Sequence, residues 1–380
     1  MRDGFVLLLA SLSITITGCE RIPQALGYGA TEGSTRTYYI AADEIEWDYA
    51  PSGDNRLTGE AFSGVELYFM ASGPDRIGRV YRKSLYREYT DDTFTTLKER
   101  TDEWKHLGFL GPLLRAEVGD TLRIVFKNNT GYPASVHPHG VFYDKASEGA
   151  PSADGSTDAE RVDDAVPPGG THTYVWPVPE RAGPGENDGS SILWMYHSHA
   201  NEEKDVNAGL MGPTIVTARG MAGADGAPKD VDREFVVSFH EQDENVSWHL
   251  EDNIQAYAGD PESIDRSEIF FWTPFGGSNF METLNGLTYG NLEGLEMRAG
   301  ERVRWYLMGT TNFEVHAPHW HGNTVQIRGM RTDVASLVTM EMAVADMVPD
   351  NSGKWLFHCH VAPHLVGGMS SHYNVLPEEG

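Results

Sequence analysis

Trp355-Leu356-Phe357-His358-Cys359-His360-Val361-Ala362-Pro363-His364, followed by Met369, is the stretch on which the reading of this chain turns. Successive side chains of a strand take opposite faces, so Cys359 points one way while His358 and His360 point the other. A thiolate, imidazoles and a distant thioether are the donors of a blue-copper electron-transfer site, because soft sulfur suits a copper that cycles between two oxidation states. The histidines flanking Cys359 face a second centre, one backbone step away. The segment reads as an electron relay between two metal sites.

Working outward, three more H-x-H pairs appear: His137-Pro138-His139, His197-Ser198-His199 and His319-Trp320-His321, with His316 just before the last. On a strand both rings of such a pair share one face. With His358 and His360 there are four pairs, and His316, Cys359, His364 and Met369 complete a thiolate site. His106, His172, His240, His249 and His372 stand outside this scheme. One H-x-H alone is weak, since strand histidines are often core or solvated residues. Four pairs with one H-C-H form a ligand set.

These segments resemble the multicopper oxidases. Tyr39-Ile40-Ala41-Ala42-Asp43-Glu44, Leu107-Gly108-Phe109-Leu110-Gly111-Pro112, Tyr174-Val175-Trp176-Pro177 and Trp194-Met195-Tyr196-His197-Ser198-His199 look like the ceruloplasmin and hephaestin branch of that family, and the similarity runs from about residue 38 onward. The resemblance implies four coppers per chain. His316, Cys359, His364 and Met369 would hold type 1 copper, and His137 and His319 type 2. His139, His197, His199, His321, His358 and His360 would hold the type 3 pair. It also implies one-electron oxidation of a reductant coupled to reduction of dioxygen to water.

The fold expected is all-β, because strand-forming runs such as Leu122-Arg123-Ile124-Val125-Phe126 end in turn-forming clusters such as Asn128-Asn129-Thr130-Gly131. The chain of 380 residues accommodates two domains, and an internal repeat divides it. Leu114-Arg115-Ala116-Glu117-Val118-Gly119-Asp120 leads into His137-Pro138-His139-Gly140, as Leu295-Glu296-Met297-Arg298-Ala299-Gly300-Glu301 leads into His319-Trp320-His321-Gly322. Two cupredoxin-like Greek-key sandwiches follow, at residues 38–219 and 232–380, joined by a linker at 220–231. Against Cys359 and His316 the first half has Ser198 and Ala134, so only the second keeps a blue-copper site. Met211 is either a relic of the axial position or a core methionine.

The four pairs are split evenly between the halves. A cluster using all eight imidazoles must therefore lie between a first and a second domain, and in two-domain relatives it commonly lies between subunits of a closed trimer. A homotrimer is expected, although an interface within one chain stays open. Asp144 and Asp154 are candidate proton donors for oxygen reduction.

Residues 1–19 read as a targeting segment. The apolar run ends Ile16-Thr17-Gly18-Cys19, which resembles a bacterial lipoprotein signal with Cys19 lipidated, ahead of a flexible linker at 20–37. An ordinary export signal is the other reading, and the run is short for a membrane span. The expected location is exported, at the cell envelope, with membrane contact only through the anchor. Assigning Cys19 to lipid and Cys359 to copper leaves no structural disulfide. A net charge of −27 excludes nucleic-acid binding.

Substrate is the least determined element. Ferroxidases of this branch often carry an acid just before the second type 1 histidine, and here that residue is Pro363. A phenolic, laccase-like reductant is therefore expected, with a metal ion (ferrous or cuprous) as the alternative. Met330, Met340, Met342 and Met347 raise the cuprous case, since thioethers bind that ion. A copper nitrite reductase would carry its blue site in the first domain, and a mere electron carrier needs no eight-histidine cluster.

Overall fold

The structure, a computed structural model, describes residues 33–270, 272–310 and 314–378. The targeting segment with Cys19, and most of the 20–37 linker, lie outside the described residues. The described residues belong to one compact unit, and among them no helix is long and apolar enough to cross a membrane.

The first half contributes β1 (Thr35–Asp48), β2 (Val80–Tyr89), β3 (Leu114–Glu117), β4 (Thr121–Asn128), β5 (His137–Pro138), β6 (Thr171–Pro177), β7 (Ser191–His197) and β8 (Met211–Thr217). The second half contributes β9 (Arg233–Asp243), β10 (Phe280–Leu284), β11 (Glu296–Arg298), β12 (Val303–Gly309), β13 (Pro318–Trp320), β14 (Val325–Ile327), β15 (Met330–Thr332), β16 (Glu341–Met347), β17 (Gly353–Cys359) and β18 (Ser370–Leu376). These make two sandwiches with repeated strand order. Sheet β2-β1-β4-β6 corresponds to β10-β9-β12-β16-β14-β15, and β3-β8-β7-β5 to β11-β18-β17-β13. In each half the same two pairs run parallel, β1 with β4 and β3 with β8, then β9 with β12 and β11 with β18. Parallel neighbours need a crossover and cannot come from hairpins alone, so this is a Greek-key arrangement built twice.

The sequence alternation explains the strands. Along β4, Leu122, Ile124 and Phe126 are buried, while Arg123, Val125 and Lys127 face outward. The first core gathers these with Tyr174 and Trp176; the second is built on Trp305, Trp320, Phe357 and Tyr373. A third cluster takes residues from both halves, including Leu85, Leu193 and Ile215 with Val236, Tyr306 and Met308. This shared core holds the sandwiches together.

Buried polar contacts fix their register. His106 Nε2 accepts the Val236 N–H at 3.1 Å, while its Nδ1 donates to Glu103 O at 2.8 Å. Arg115 makes a two-pronged pair with Glu234, which also accepts from Tyr306 Oη. Lys83 and Glu244, both fully buried, pair across the seam, and Tyr49 Oη donates to the same carboxylate. Removing one member of such a pair costs about 3–5 kcal/mol, because a lone charge is left in the interior.

Candidate metal centres

The thiolate site is assembled where β17 ends. Cys359 closes that strand, His364 lies on the short helix Ala362–Val366, Met369 immediately precedes β18, and His316 lies just before β13. All four are buried. His316 Nδ1 and His364 Nδ1 face each other at 3.2 Å, and Cys359 Sγ lies 3.3 Å from His364 Nδ1 and 3.9 Å from His316 Nδ1. Burial lowers the His316 pKa to about 4, which keeps its lone pair available. The backbone locks the cradle: Ala317 N–H donates to Sγ, Cys359 N–H to Met369 O, and Met369 N–H to His364 O. Two imidazole nitrogens and a thiolate converging on one point fit copper.

The paired histidines form two quartets of matching construction. His137 sits opposite His197 across β5 and β7, and His319 opposite His358 across β13 and β17. His137 Nδ1 donates to Glu148 O at 2.6 Å, and His319 Nδ1 to Asp333 O at 2.9 Å. His197 and His358 spend their Nδ1–H on the carbonyls of Ser198 and Cys359. In a neutral ring this leaves Nε2 unprotonated, the form a metal needs. His139 Nε2 meets His197 Nε2 at 3.1 Å, and His321 Nε2 meets His358 Nε2 at the same distance. Burial, then the neighbouring imidazoles, lowers the pKa of His139 to about 4 and of His197 to about 3. His199 and His360 complete the quartets through ring contacts to His137 and His319.

The glycine after each first pair has a steric cause. Gly140 and Gly322 adopt φ of +76° and +75°, and a Cβ on either would lie 2.2 or 2.4 Å from the indole of Trp194 or Trp355. Among the described residues, the imidazoles of one quartet make no ring contact or hydrogen bond with those of the other. The first quartet's ring contacts stay within itself and with Tyr143.

Where the first half lacks the thiolate site, its backbone keeps the frame. Ala134 N–H bonds to Val166 O as His316 N–H bonds to Leu337 O, and Ser135 N–H donates to Ser198 Oγ as Ala317 N–H does to Cys359 Sγ. Of the two readings of Met211, the core one holds. Met211 pairs with His197, as Ser370 pairs with His358. The counterpart of Met369 is Leu210, whose carbonyl accepts the Ser198 N–H. Met211 is a buried core residue.

Sequence reasoning missed a second group of residues. Beyond the ring of His364, its Nε2 lies 2.9 Å from Glu241 Oε1 and 3.2 Å from Glu314 Oε2. Glu241, Glu282 and His364 present donor atoms within 4.8 Å of one another, all buried. Glu282 Oε2 has no hydrogen-bond partner, and burial pushes its carboxyl up to about 8. Burial alone would lower the His364 pKa, but Cys359 and Glu241 more than offset it and hold it at about 11. The pocket is short of positive charge. These acids come from β9, β10 and the loop before β13, so no local spacing announces them.

The other candidates are dispersed. Asp144 precedes a short 3-10 turn, which its side chain does not cap. Asp154 is partly exposed and paired with Lys145 and Arg161. The lysine and nearby serines hold its carboxyl far below the usual range, which makes it a poor proton donor as it stands. Met330 is exposed, Met340 and Met342 pack against the shared core, and Met347 lies in the second core. They form no thioether cluster.

Two family models described as multicopper oxidase match residues 106–220 and 265–379, together more than half of the chain. The chain belongs to the multicopper oxidases, a copper-dependent family. Hephaestin of Rattus norvegicus is 45% identical over 350 residues, which are 91% of this chain and 30% of that protein. The Homo sapiens protein named Ferroxidase HEPHL1 is 43% identical over 363 residues, 94% of this chain and 31% of its own length. Ceruloplasmin of Homo sapiens is 41% identical over 340 residues, 89% and 31% respectively. The chain thus spans about 30% of these relatives. Solved structures share the fold. A multicopper oxidase crystal structure matches with TM-score 0.56 at 19% identity, covering 90% of this chain and 89% of that one. The multicopper oxidase mgLAC matches at 0.58 and 17%, covering 91% and 88%.

Proposed function

We propose that this chain is a metal-ion oxidase that takes electrons from a small cation, with ferrous iron the leading substrate, and delivers them to dioxygen. The observation that carries the reading is the burial of His364 beneath Glu241, Glu282 and Glu314. A phenol needs an accessible imidazole edge; here the edge is covered and the covering groups are carboxylates, hard oxygen donors that suit a divalent cation. A relative bearing the name ferroxidase agrees with this. The phenolic expectation accordingly gives way to the metal-ion alternative. Pro363 in place of the family's acid does not count against it, since acids from other segments line the same imidazole.

Four coppers per chain are proposed, with the type 1, type 2 and type 3 ligands assigned as above. Copper at these sites supplies one-electron redox chemistry, and so joins a one-electron donor to four-electron reduction of oxygen. The chain's own residues do the positioning. His364 would give Nδ1 to the thiolate site while its Nε2–H donates to Glu241, so one ring separates the carboxylates that would hold the cation from the copper ligands. Cys359 lies between His358 and His360, which binds the thiolate site to the second quartet through a single strand end. The absence of contact between the quartets supports a homotrimer in which one subunit's first quartet meets another's second. The two quartets are different surfaces, so a head-to-tail ring is the natural closure.

The test is oxygen uptake by the copper-loaded protein with ferrous ion and with a phenolic dye. Glu282→Gln and Glu241→Gln are expected to lower kcat/KM for ferrous ion about 10- to 100-fold, the range of outer-shell changes at metal sites, while dye oxidation holds or improves. A wild type that prefers the dye, with acid variants that leave ferrous oxidation unchanged, would return the laccase-like reading.

A further inference from the structure

Asp205 stands in the first half where the ligand His364 stands in the second. Leu210 N–H bonds to Asp205 O at 3.0 Å, as Met369 N–H bonds to His364 O at 2.9 Å. The Asp205 side chain is fully buried and accepts three hydrogen bonds. Ser198 Oγ at 2.6 Å and Asn201 N–H at 2.8 Å donate to Oδ2, and Trp248 Nε1 at 2.8 Å donates to Oδ1. Two N–H groups that can only donate, with a hydroxyl that already accepts from Ser135 N–H, call for the acceptor-only carboxylate.

The network continues to the metal ligands. Ser198 lies between His197 and His199, and its Oγ accepts the Ser135 N–H at 3.0 Å. Ser135 Oγ accepts the His199 N–H at 3.0 Å and donates to Gly149 O at 2.6 Å. Gly149 follows Glu148, whose carbonyl takes Nδ1–H of His137. On the other side, Trp248 stacks on Tyr132 with centroids 4.7 Å apart and planes at 16°, and Lys204 Nζ sits 4.3 Å over its indole. A hydrogen-bonded strap therefore runs from Trp248, in the segment after β9, through Asp205 and Ser198 to His199 and the loop that orients His137.

We infer that Asp205 is a positioning residue for the first quartet, performing by hydrogen bonds the tie that a metal ligand performs in the second half. This rests on the metal-centre reading above. The strap fixes the strand end that carries His197 and His199, and ties it to Trp248, which follows β9 in the chain and packs against the first core.

The experiment uses the copper-loaded full chain with Asp205→Asn, Ser198→Ala and Trp248→Phe. An amide at Asp205 sets an N–H against the donors it must accept, whereas Ser198→Ala and Trp248→Phe each remove one bond and keep the packing. Two signals report on the quartets: the near-ultraviolet band of a bridged copper pair and the paramagnetic resonance of the mononuclear copper. The intense visible thiolate-to-copper band reports on the other half and is the internal control. Asp205→Asn is expected to lose at least half of the near-ultraviolet band and about 10- to 100-fold in affinity for cluster copper, with the visible band unchanged. The other two variants should move the same way by less, and they carry the test if Asp205→Asn fails to fold. A lower melting temperature with both bands at wild-type strength in all folded variants would overturn the inference alone. A wild type without the near-ultraviolet band would overturn the cluster reading and this inference with it.

Discussion

The two sandwiches arrive at their strand ends with the same backbone and different side chains. In the second half Ala317 N–H meets a sulfur at 3.3 Å; in the first, Ser135 N–H meets a hydroxyl at 3.0 Å. His316, Cys359, His364 and Met369 are answered by Ala134, Ser198, Asp205 and Leu210. Fold alone therefore does not make the electron-entry site, because the frame closes equally well around a carboxylate–hydroxyl pair. The histidine pairs outside that frame are kept in both halves, and in each half two of their Nδ1 atoms meet backbone carbonyls. What differs between the halves is whether the strand end carries the cysteine, two histidines and methionine; what they share is the presentation of imidazoles.

Making the second half resemble the first should break this comparison most severely. Cys359→Ser is expected to remove the visible band and drop oxygen uptake to background while both quartets keep their copper, as copper analysis would register. Next in size is the loss of ferrous oxidation in the Glu282 and Glu241 variants, since Asp205 meets the donors Ser198, Asn201 and Trp248 where His364 meets acids. A further effect comes from the seam. Burial lowers the pKa of His106 to about 4, against about 6.5 for an unfolded histidine. Between those values the unfolded chain binds the extra proton. The His106 contribution is thus complete above about pH 6.5, falls as pH drops to about 4 and is flat below, a total on the order of 3 kcal/mol. Melting temperatures across that window should fall in the wild type and fall less steeply in His106→Gln. The smallest change should follow Met369→Leu, which copies Leu210. It should keep the visible band, raise the reduction potential and alter turnover only slightly, because the axial thioether tunes the site more than it holds it.

Much of this was legible in the residues. The all-β repeat, the four pairs and the H-C-H strand follow from period and spacing, and Ala134 and Ser198 fall out of aligning the halves. The axial counterpart did not. Met211 stood open between axial relic and core residue, and what separates the two is the preceding helix: Glu202–Ala208 is seven residues long and Ala362–Val366 five. The acid pocket was also hidden, because Glu241, Glu282 and Glu314 are remote from one another and from His364 in sequence. Asp154 was named for its proximity to a histidine pair, and spacing could not show that its carboxylate pairs with Lys145.

The separation of the quartets has a consequence for mixtures of defective chains. A chain lacking His137 and His139 and a chain lacking His319 and His321 would each be silent alone. In a mixed ring of the kind proposed above, the intact second quartet of one would meet the intact first quartet of the other, and oxygen reduction would return at those junctions. Such complementation is open to an enzyme whose centre is shared between copies and closed to one whose centre is folded within a single chain.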